Sequence, residues 1–293
     1  MIEKPIDKIQ SLPKIYSGKV RDLYKIDKNT ILMVATDRIS TFDIILNQLI
    51  PNKGIYLTQI SLFWFNYFKN IKNHLIGKKI DTLLKGDELA YANGRSVIVK
   101  QLTPIPIEFI IRGYLAGNGF KDYLKSGEIS GIKLPKNLSV GEKLEQAIFT
   151  PSTKAPVGTH DENITILQCK NIIGSELTNK IMKLTLEIYE KANNFANEHN
   201  VIIADSKFEF GLDENGELLL MDEILTPDSS RFWDKNKYKA GTNPENFDKQ
   251  FIRDYLEIEL KWDKNPPIPD LPKKIIEKTQ EKYQEIIKRF NIK

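Results

Sequence analysis

Residues 201 to 224 read VIIADSKFEFGLDENGELLLMDEI. Successive side chains of a strand take opposite faces, so Asp205, Lys207 and Glu209 are expected on one face and Phe208 and Phe210 on the other. One face is then charged chemistry and the other core. Asn215-Gly216 is the strongest short-range hairpin signal, and a two-residue loop there pairs Glu214 with Glu217 and, counting outward, Glu209 with Asp222. Carboxylates directly opposed repel each other, so this pair beside Lys207 calls for a cation between them. An all-oxygen ligand set favours magnesium or manganese over zinc; magnesium fits best, and its remaining positions usually hold substrate phosphates. A three-residue loop would instead oppose Glu209 with Met221 and Lys207 with Glu223, giving a salt-bridged surface without a metal site. The next segment, LTPDSSRFW, crowds Asp228, Ser229, Ser230 and Arg231 into a turn before Phe232 and Trp233. An arginine held between apolar rings suits oxyanion binding.

With 293 residues, 41% hydrophobic and 28% charged, the chain has material for a sizeable core in two domains, or in one large domain with a smaller lobe. The net charge of +4 is mild and dispersed, which argues against nucleic acid and suits phosphorylated metabolites. A single cysteine, Cys169, excludes a disulfide framework and a thiolate metal site, and points to a reducing compartment. The N-terminus MIEKPIDKIQSLPK does not resemble a signal peptide, and no stretch of eighteen apolar residues occurs. A cytoplasmic enzyme with small-molecule substrates, and neither nucleic acid nor membrane as partner, is the expectation.

The runs LYKI, TILMVAT and SVIVKQL predict strands of an N-terminal sheet, and Leu57, Ile60, Phe63, Trp64, Tyr67 and Phe68 repeat at the spacing of a helix packing face. The prolines of LTPIPI (102–107) place the crossing between lobes there. In EFIIRGYLAGNGF a strand carrying Arg112 meets Gly113, Gly117 and Gly119, which permit close approach of backbone to a ligand. FTPSTKAPVGTHDEN, with Lys154, His160, Asp161 and Glu162, reads as a long polar loop. Leu177, Ile181, Leu184, Ile188, Ala192 and Phe195 predict a helix over 175–199 that leads into the charged strand. Asp248 is read as a helix cap, and Asp270 and Pro272 as the start of a C-terminal helix.

No Walker loop, dinucleotide fingerprint, HExxH or GxSxG is present. His74 and His199 stand alone and read as solvent-facing or cap-like. What remains is Ser17-Gly18-Lys19-Val20-Arg21, a short loop able to cover a triphosphate. With a carboxylate pair, Lys207 and two arginines, Arg112 and Arg231, it describes ATP-dependent activation of a phosphorylated substrate.

These residues resemble a known family. SGKVRDLY at 17, DRISTFD at 37, RGYLAGNG at 112, TPSTKA at 150, HDEN at 160, ADSKFEFG at 204, DEILTPDSSRFW at 222 and FDKQFIRDYL at 247 are similar, in order, to the SAICAR synthetases of purine biosynthesis. The resemblance implies an α/β (α+β), two-lobed, ATP-grasp-like or kinase-like enzyme with mostly antiparallel sheets and a C-terminal helix. Its β-rich nucleotide lobe would span 1–103, and its α/β substrate and metal lobe 104–293. It further implies ATP and Mg²⁺ as cofactors, phosphorylation of an imidazole ribotide carboxylate, and attack by L-aspartate on the acyl phosphate.

Residue by residue, the resemblance makes Glu209 and Asp222 the magnesium ligands, Lys207 the cation at the transferring phosphate and Asp205 a substrate-site acid. Ser17, Gly18, Lys19, Val20 and Arg21 would cover the phosphates, with Lys100, Gln101 and Leu102 at adenine. Arg112 and Arg231, helped by Ser230, would clamp the ribotide phosphate, and Lys154 would reach the substrate carboxylate or a nucleotide phosphate. Asp37, Arg38 and Ser40 are the first place to look for aspartate. Asn118 stands where the family has serine, Ser206 where it has threonine, and Thr159 where an acid is common; Asn118 still offers a donor to phosphate. The alternatives are a kinase-like phosphotransferase and a non-enzymatic nucleotide- or RNA-binding module.

Overall fold

The computed structural model describes residues 9–42, 44–154, 162–242, 244–247 and 249–292. Strands β1 (Lys14–Ser17), β2 (Arg21–Lys25), β3 (Thr30–Ala35), β4 (Arg38–Thr41) and β5 (Ile44–Leu49) precede helix α1 (Lys53–Tyr67). Helix α2 (Gly86–Ala92) is followed by β6 (Ser96–Lys100), β7 (Thr103–Pro104), β8 (Ile107–Tyr114) and helix α3 (Gly117–Ser126). A small hairpin, β9 (Glu128–Ile129) and β10 (Ile132–Lys133), leads to β11 (Lys143–Thr153), α4 (Ile166–Ile173) and α5 (Ser175–Glu198). Then come β12 (Val201–Leu212), β13 (Leu218–Met221), β14 (Ser230–Asp234), α6 (Gln250–Asp254) and α7 (Lys273–Arg289).

An antiparallel sheet has order β1-β2-β3-β6, in which β2, β3 and β6 come from the predicted N-terminal runs and β1 is a further edge strand outside them. The larger sheet has order β11-β8-β12-β13, with β14 and β7 also paired to β12. At twelve residues β12 is long enough to serve several partners, and Asp205 and Ser206 lie between β8 on one side and β14 on the other. The alternation holds: Phe208 and Phe210 are buried with Phe109, Ile111 and Phe149 in the main core. Against that face lie Ile181, Ile188 and Ala192 of α5, Ile60 and Trp64 of α1, and Ile286 of α7 with Phe290 at its C-cap. Each fully buried side chain of this size contributes roughly 2 kcal/mol. The approach of α5 requires Gly113, because a Cβ there would lie 2.1 Å from the Tyr189 hydroxyl oxygen. The aromatic stripe of α1 is a packing face, as its spacing predicts, and the C-terminal helix begins directly after Pro272.

The hairpin register differs from the two-residue expectation. Glu209 pairs with Met221 and Leu212 with Leu218, so Glu209 does not oppose Asp222, nor Glu214 Glu217. The cause is Asp213, whose carboxylate accepts from the Asn215 and Glu217 amides while its own amide donates to the Glu217 carbonyl. With Gly216 at φ 75°, this closes a three-residue loop with a left-handed last residue. The salt-bridged partner of that register, Lys207 with Glu223, does not form either. The ladder stops at Met221, Asp222 turns left-handed at φ 63°, and Lys207 pairs with Ile110 of β8.

His74 is neither solvent-facing nor a cap: it is buried in a strap between the two sheets. His199 is the C-cap of α5, its Nδ1 2.8 Å from the Phe195 carbonyl. His160 and Asp161 of the polar loop, Thr159 before them and the Asp248 cap lie outside the described residues. Of that loop, residues 149–153 are strand, since β11 runs on to Thr153.

Candidate active site

Three neighbouring strands put Arg112, Asp205 and Arg231 in one row. Asp205 of β12 pairs with Arg112 of β8 and with Arg231 of β14. Its Oδ2 accepts from Arg112 Nη1 at 2.9 Å and from Arg231 Nη1. Arg112 Nε also donates to Thr150 Oγ1 of β11 at 3.0 Å, so the guanidinium plane is fixed. Two cations sharing one carboxylate leave the row net positive, with donor edges suited to an oxyanion. The start of α3 closes over it: a Cβ on Gly117 would lie 2.2 Å from Arg231 Nη2, and one on Gly119 3.1 Å from Arg112. A helix N-terminus carries unpaired amides and partial positive charge, so helix and arginines favour the same anion. Asn118, between the two glycines, is exposed in the first turn of α3.

Two residues along β12, Lys207 donates to Glu108 at 2.8 Å and to Glu209 at 3.1 Å. Glu209 is also met by Lys154 at 2.5 Å. Burial alone would raise the Glu209 carboxyl, but Lys207 and Lys154 hold it down at about 2. Burial would likewise lower the Lys207 amine, and Glu209 and Glu108 instead push it well above the ordinary lysine value. Asp222, although not the ladder partner of Glu209, belongs to the same field. Burial pushes its carboxyl up to about 6, Arg21 pulls against this, and the charges of Glu209 and Glu223 add to the rise. Past the left-handed turn, Asp222 lies near enough to Glu209 for their charges to interact.

Arg21, last residue of the glycine loop, reaches Asp222 at 2.8 Å and Glu223 at 2.5 Å, tying the smaller sheet to the turn after β13. The loop itself is a tight turn, with the Gly18 amide donating to the Arg21 carbonyl at 2.7 Å. Lys19 is exposed at its tip, and Val20 accepts from Thr36 through its carbonyl. Ser17 donates to Asp22 at 2.6 Å, on the sheet side of the turn. Lys100 and Gln101 spend their amides on the His74 and Asn29 carbonyls, while Leu102 packs over Gly211.

Several expected residues have other partners. Arg38 donates to Asp22 at 2.7 Å and to the Gly18 and Lys19 carbonyls, which fixes the glycine loop from beneath. Asp37 accepts from the Gly54 amide at 3.0 Å and from Arg95 at 2.8 Å, holding the first turn of α1. Ser40 is buried in β4. Ser230 pairs with Ser206 and donates to its hydroxyl at 2.8 Å, so it sits on the sheet face opposite Arg231. None of these four is brought to the charged row.

Other residues carry no motif in the sequence. Glu108 shares a face with Ile110 and Arg112 by alternation within EFIIRGY, a signal that was legible. Lys53 is fully buried, and its amine meets Asp228 at 2.5 Å, with Tyr283 of α7 donating to the same carboxylate at 2.6 Å. Lys249 stands 3.9 Å from it. Burial would raise Asp228, but Lys249 and Lys53 drive it far below the usual range. No local pattern announces a contact across 175 residues.

Comparison with known proteins now bears on this site. Residues 14–269 match the family profile described as SAICAR synthetase, and a phosphoribosylaminoimidazole-succinocarboxamide synthase of Haemophilus influenzae is 54% identical over 94% of this chain and 96% of its own. The chain belongs to the SAICAR synthetase family. It is therefore an ATP-dependent ligase of purine biosynthesis. The SAICAR-synthase from Saccharomyces cerevisiae complexed with SAICAR has TM-score 0.87 and 40% identity, over 100% of this chain and 97% of that one. A SAICAR synthetase (Type-2) in complex with ADP has TM-score 0.68 and 26% identity, over 94% and 96%. The two-lobed, kinase-like and ATP-grasp-like expectation for the fold stands with these SAICAR synthetase neighbours.

Proposed function

We propose that the charged face of β12 joins L-aspartate to the carboxylate of 5-amino-1-(5-phosphoribosyl)imidazole-4-carboxylate. ATP first phosphorylates that carboxylate; the aspartate amine then displaces phosphate from the acyl phosphate, giving SAICAR, ADP and phosphate. The observation that carries this reading is the layout of one strand. The phosphate-seeking row at Asp205 and the cation-seeking carboxylate at Glu209 share a face, four residues and so roughly 13 Å apart. One end grips a phosphate far from the reacting centre, and the other gathers the charges that phosphoryl transfer needs.

In this reading Arg112, Arg231 and the α3 amides hold the ribotide phosphate, and Asp205 orients both guanidiniums. Lys207 and Lys154 face the transferring phosphoryl group and release Glu209 as they do so. Ser17 to Arg21 lie over the nucleotide phosphates, with Lys100 to Leu102 beside adenine. Glu209 and Asp222 fit a magnesium ion. They are oxygen ligands only, and among the described residues no larger acidic or histidine cluster offers a softer or more crowded site. When bound, the ion would neutralise phosphate charge and polarise the bond that breaks. Asp37 and Arg38 then serve the site by fixing α1 and the glycine loop.

The nucleotide lobe is proposed to span 1–103 and the substrate lobe 104–293, with α1 the exception that packs into the main core. The reducing cytoplasm suits its single buried thiol. No helix among the described residues is long and apolar enough to cross a membrane. The test is ADP formation measured with and without L-aspartate. Turnover is expected only with ribotide carboxylate, aspartate, ATP and Mg²⁺ together, and steady phosphate transfer without an amine would overturn the ligase step.

A further inference from the structure

Residues 72–76 run between the two sheets and are hydrogen-bonded to both. Leu220 donates to the Lys72 carbonyl at 3.1 Å and His74 to the Leu220 carbonyl at 3.0 Å, on the β13 side. Lys100 donates to the His74 carbonyl at 2.8 Å and Ile76 to the Ile98 carbonyl at 3.1 Å, on the β6 side. His74 is the residue that bonds to both edges through its own backbone. Its side chain, 2% exposed, lies 5.6 Å from the Phe65 ring and donates to the backbone carbonyl of Asp222. The other ring nitrogen, Nε2, has no protein partner, and His74 lines a cavity of about 30 Å³ with Arg21, Arg95, Asp222 and Glu223 and with apolar residues including Met33, Leu57 and Phe65.

Asp222 is a non-glycine residue at φ 63°, a conformation that costs about 1 kcal/mol or more and persists only where its surroundings hold it. Arg21 holds the side chain, and the His74 ring holds the backbone. We propose that His74 is a positioning residue, fixing the turn that aims Asp222 at the metal and tying that turn, through Lys100, to the segment beside adenine. The inference rests on the nucleotide and magnesium reading above. It adds that the two halves of the nucleotide site meet at one residue that touches neither ligand: its ring holds the metal turn, and its backbone carbonyl, which side-chain variants leave in place, holds the adenine segment.

The test is calorimetric binding of ADP with and without Mg²⁺ to the full chain and to two variants, each first checked for a cooperative melt. His74→Phe keeps ring volume and removes the donor; His74→Asn keeps a donor near the Nδ1 position. Wild type is expected to gain at least tenfold in ADP affinity from Mg²⁺, His74→Phe to lose most of that gain with its Mg²⁺-free affinity unchanged, and His74→Asn to recover it. Turnover of His74→Phe is expected to fall about tenfold with the ribotide KM unchanged. Retention of the full Mg²⁺ gain by His74→Phe would overturn the inference, as would an equal loss with and without Mg²⁺, or loss by His74→Asn as large as by His74→Phe. Should His74→Phe not fold, His74→Asn alone decides by keeping or losing the gain. If wild type itself shows no Mg²⁺ gain, the metal reading fails, and that outcome is separate from any result with the variants.

Discussion

The arginine row and the carboxylate pair stand on the same face of β12, yet they are built by opposite means. Arg112, Asp205 and Arg231 meet because three strands pair in regular register, so each side chain is placed by the ladder itself. Glu209 and Asp222 share a field because the ladder ends between them and the backbone turns left-handed. A regular ladder gives a rigid handle for a group that does not react. An irregular turn re-aims a carboxylate where strand periodicity would have sent it elsewhere, at the cost of needing Arg21 and His74 to hold it.

By that contrast, the reacting end is where single substitutions cost most. Glu209→Gln or Asp222→Asn is expected to lower turnover by 10²–10³-fold or more, about 3–4 kcal/mol of transition-state stabilisation, with an unchanged melt and a ribotide KM within a few-fold. ADP release measured against ribotide concentration checks this. Near-normal turnover in either variant would remove the carboxylate pair from the chemistry.

The handle should fail differently. Arg231→Ala is expected to raise the ribotide KM by about 10–100-fold and to touch kcat less, because a remote phosphate positions the substrate and takes no part in bond making. Gly117→Ala sharpens the same point without removing a charge. A Cβ there would overlap the Arg231 guanidinium at 2.2 Å, and φ 54° disfavours any side chain. The expected result is a loss of about 1–2 kcal/mol in chemical denaturation, together with a raised KM. A raised kcat-to-KM ratio would break the comparison.

What was legible in the sequence follows the same division. Alternation placed Lys207, Glu209 and Phe208 correctly because a half-buried strand must alternate, and α5 and the packing stripe of α1 declared themselves by helical spacing. The hairpin register was not legible from Asn215-Gly216 alone, since the Asp213 carboxylate competes for the loop amides and lengthens the loop. Asp222 still reached the field of Glu209, through a left-handed turn that no residue type there announces. Ser230, which the resemblance sets beside Arg231, meets Ser206 on the other face of the sheet, because adjacent strand residues face apart. Asp37 and Arg38, charged residues in a motif, proved to support backbone, and Lys53, Asp228 and His74 owe their roles to contacts far along the chain.

The smallest expected effect concerns the support beneath the glycine loop, where Arg38 and Ser17 meet Asp22. Burial by itself would raise the Asp22 carboxyl, but the hydrogen bonds from Arg38 and Ser17 hold it below the ordinary value. A carboxyl whose folded pKa is depressed stabilises the fold fully above its unfolded pKa, near 3.9, and loses that contribution as pH falls through the lower folded value. Asp22→Asn is therefore expected to cost about 1 kcal/mol in urea denaturation at pH 7 and nearly as much at pH 5. The gap from wild type should close only below about pH 4. In the proposed reading, unlike the carboxylates of the reacting end, Asp22 would act on the nucleotide only through the loop it anchors. ADP affinity in the variant should thus fall by a few-fold at most, and the fall should be the same with and without Mg²⁺. A Mg²⁺-selective loss would instead place Asp22 with Asp222 and erase the distinction between the parts that aim the metal and the parts that merely hold the loop.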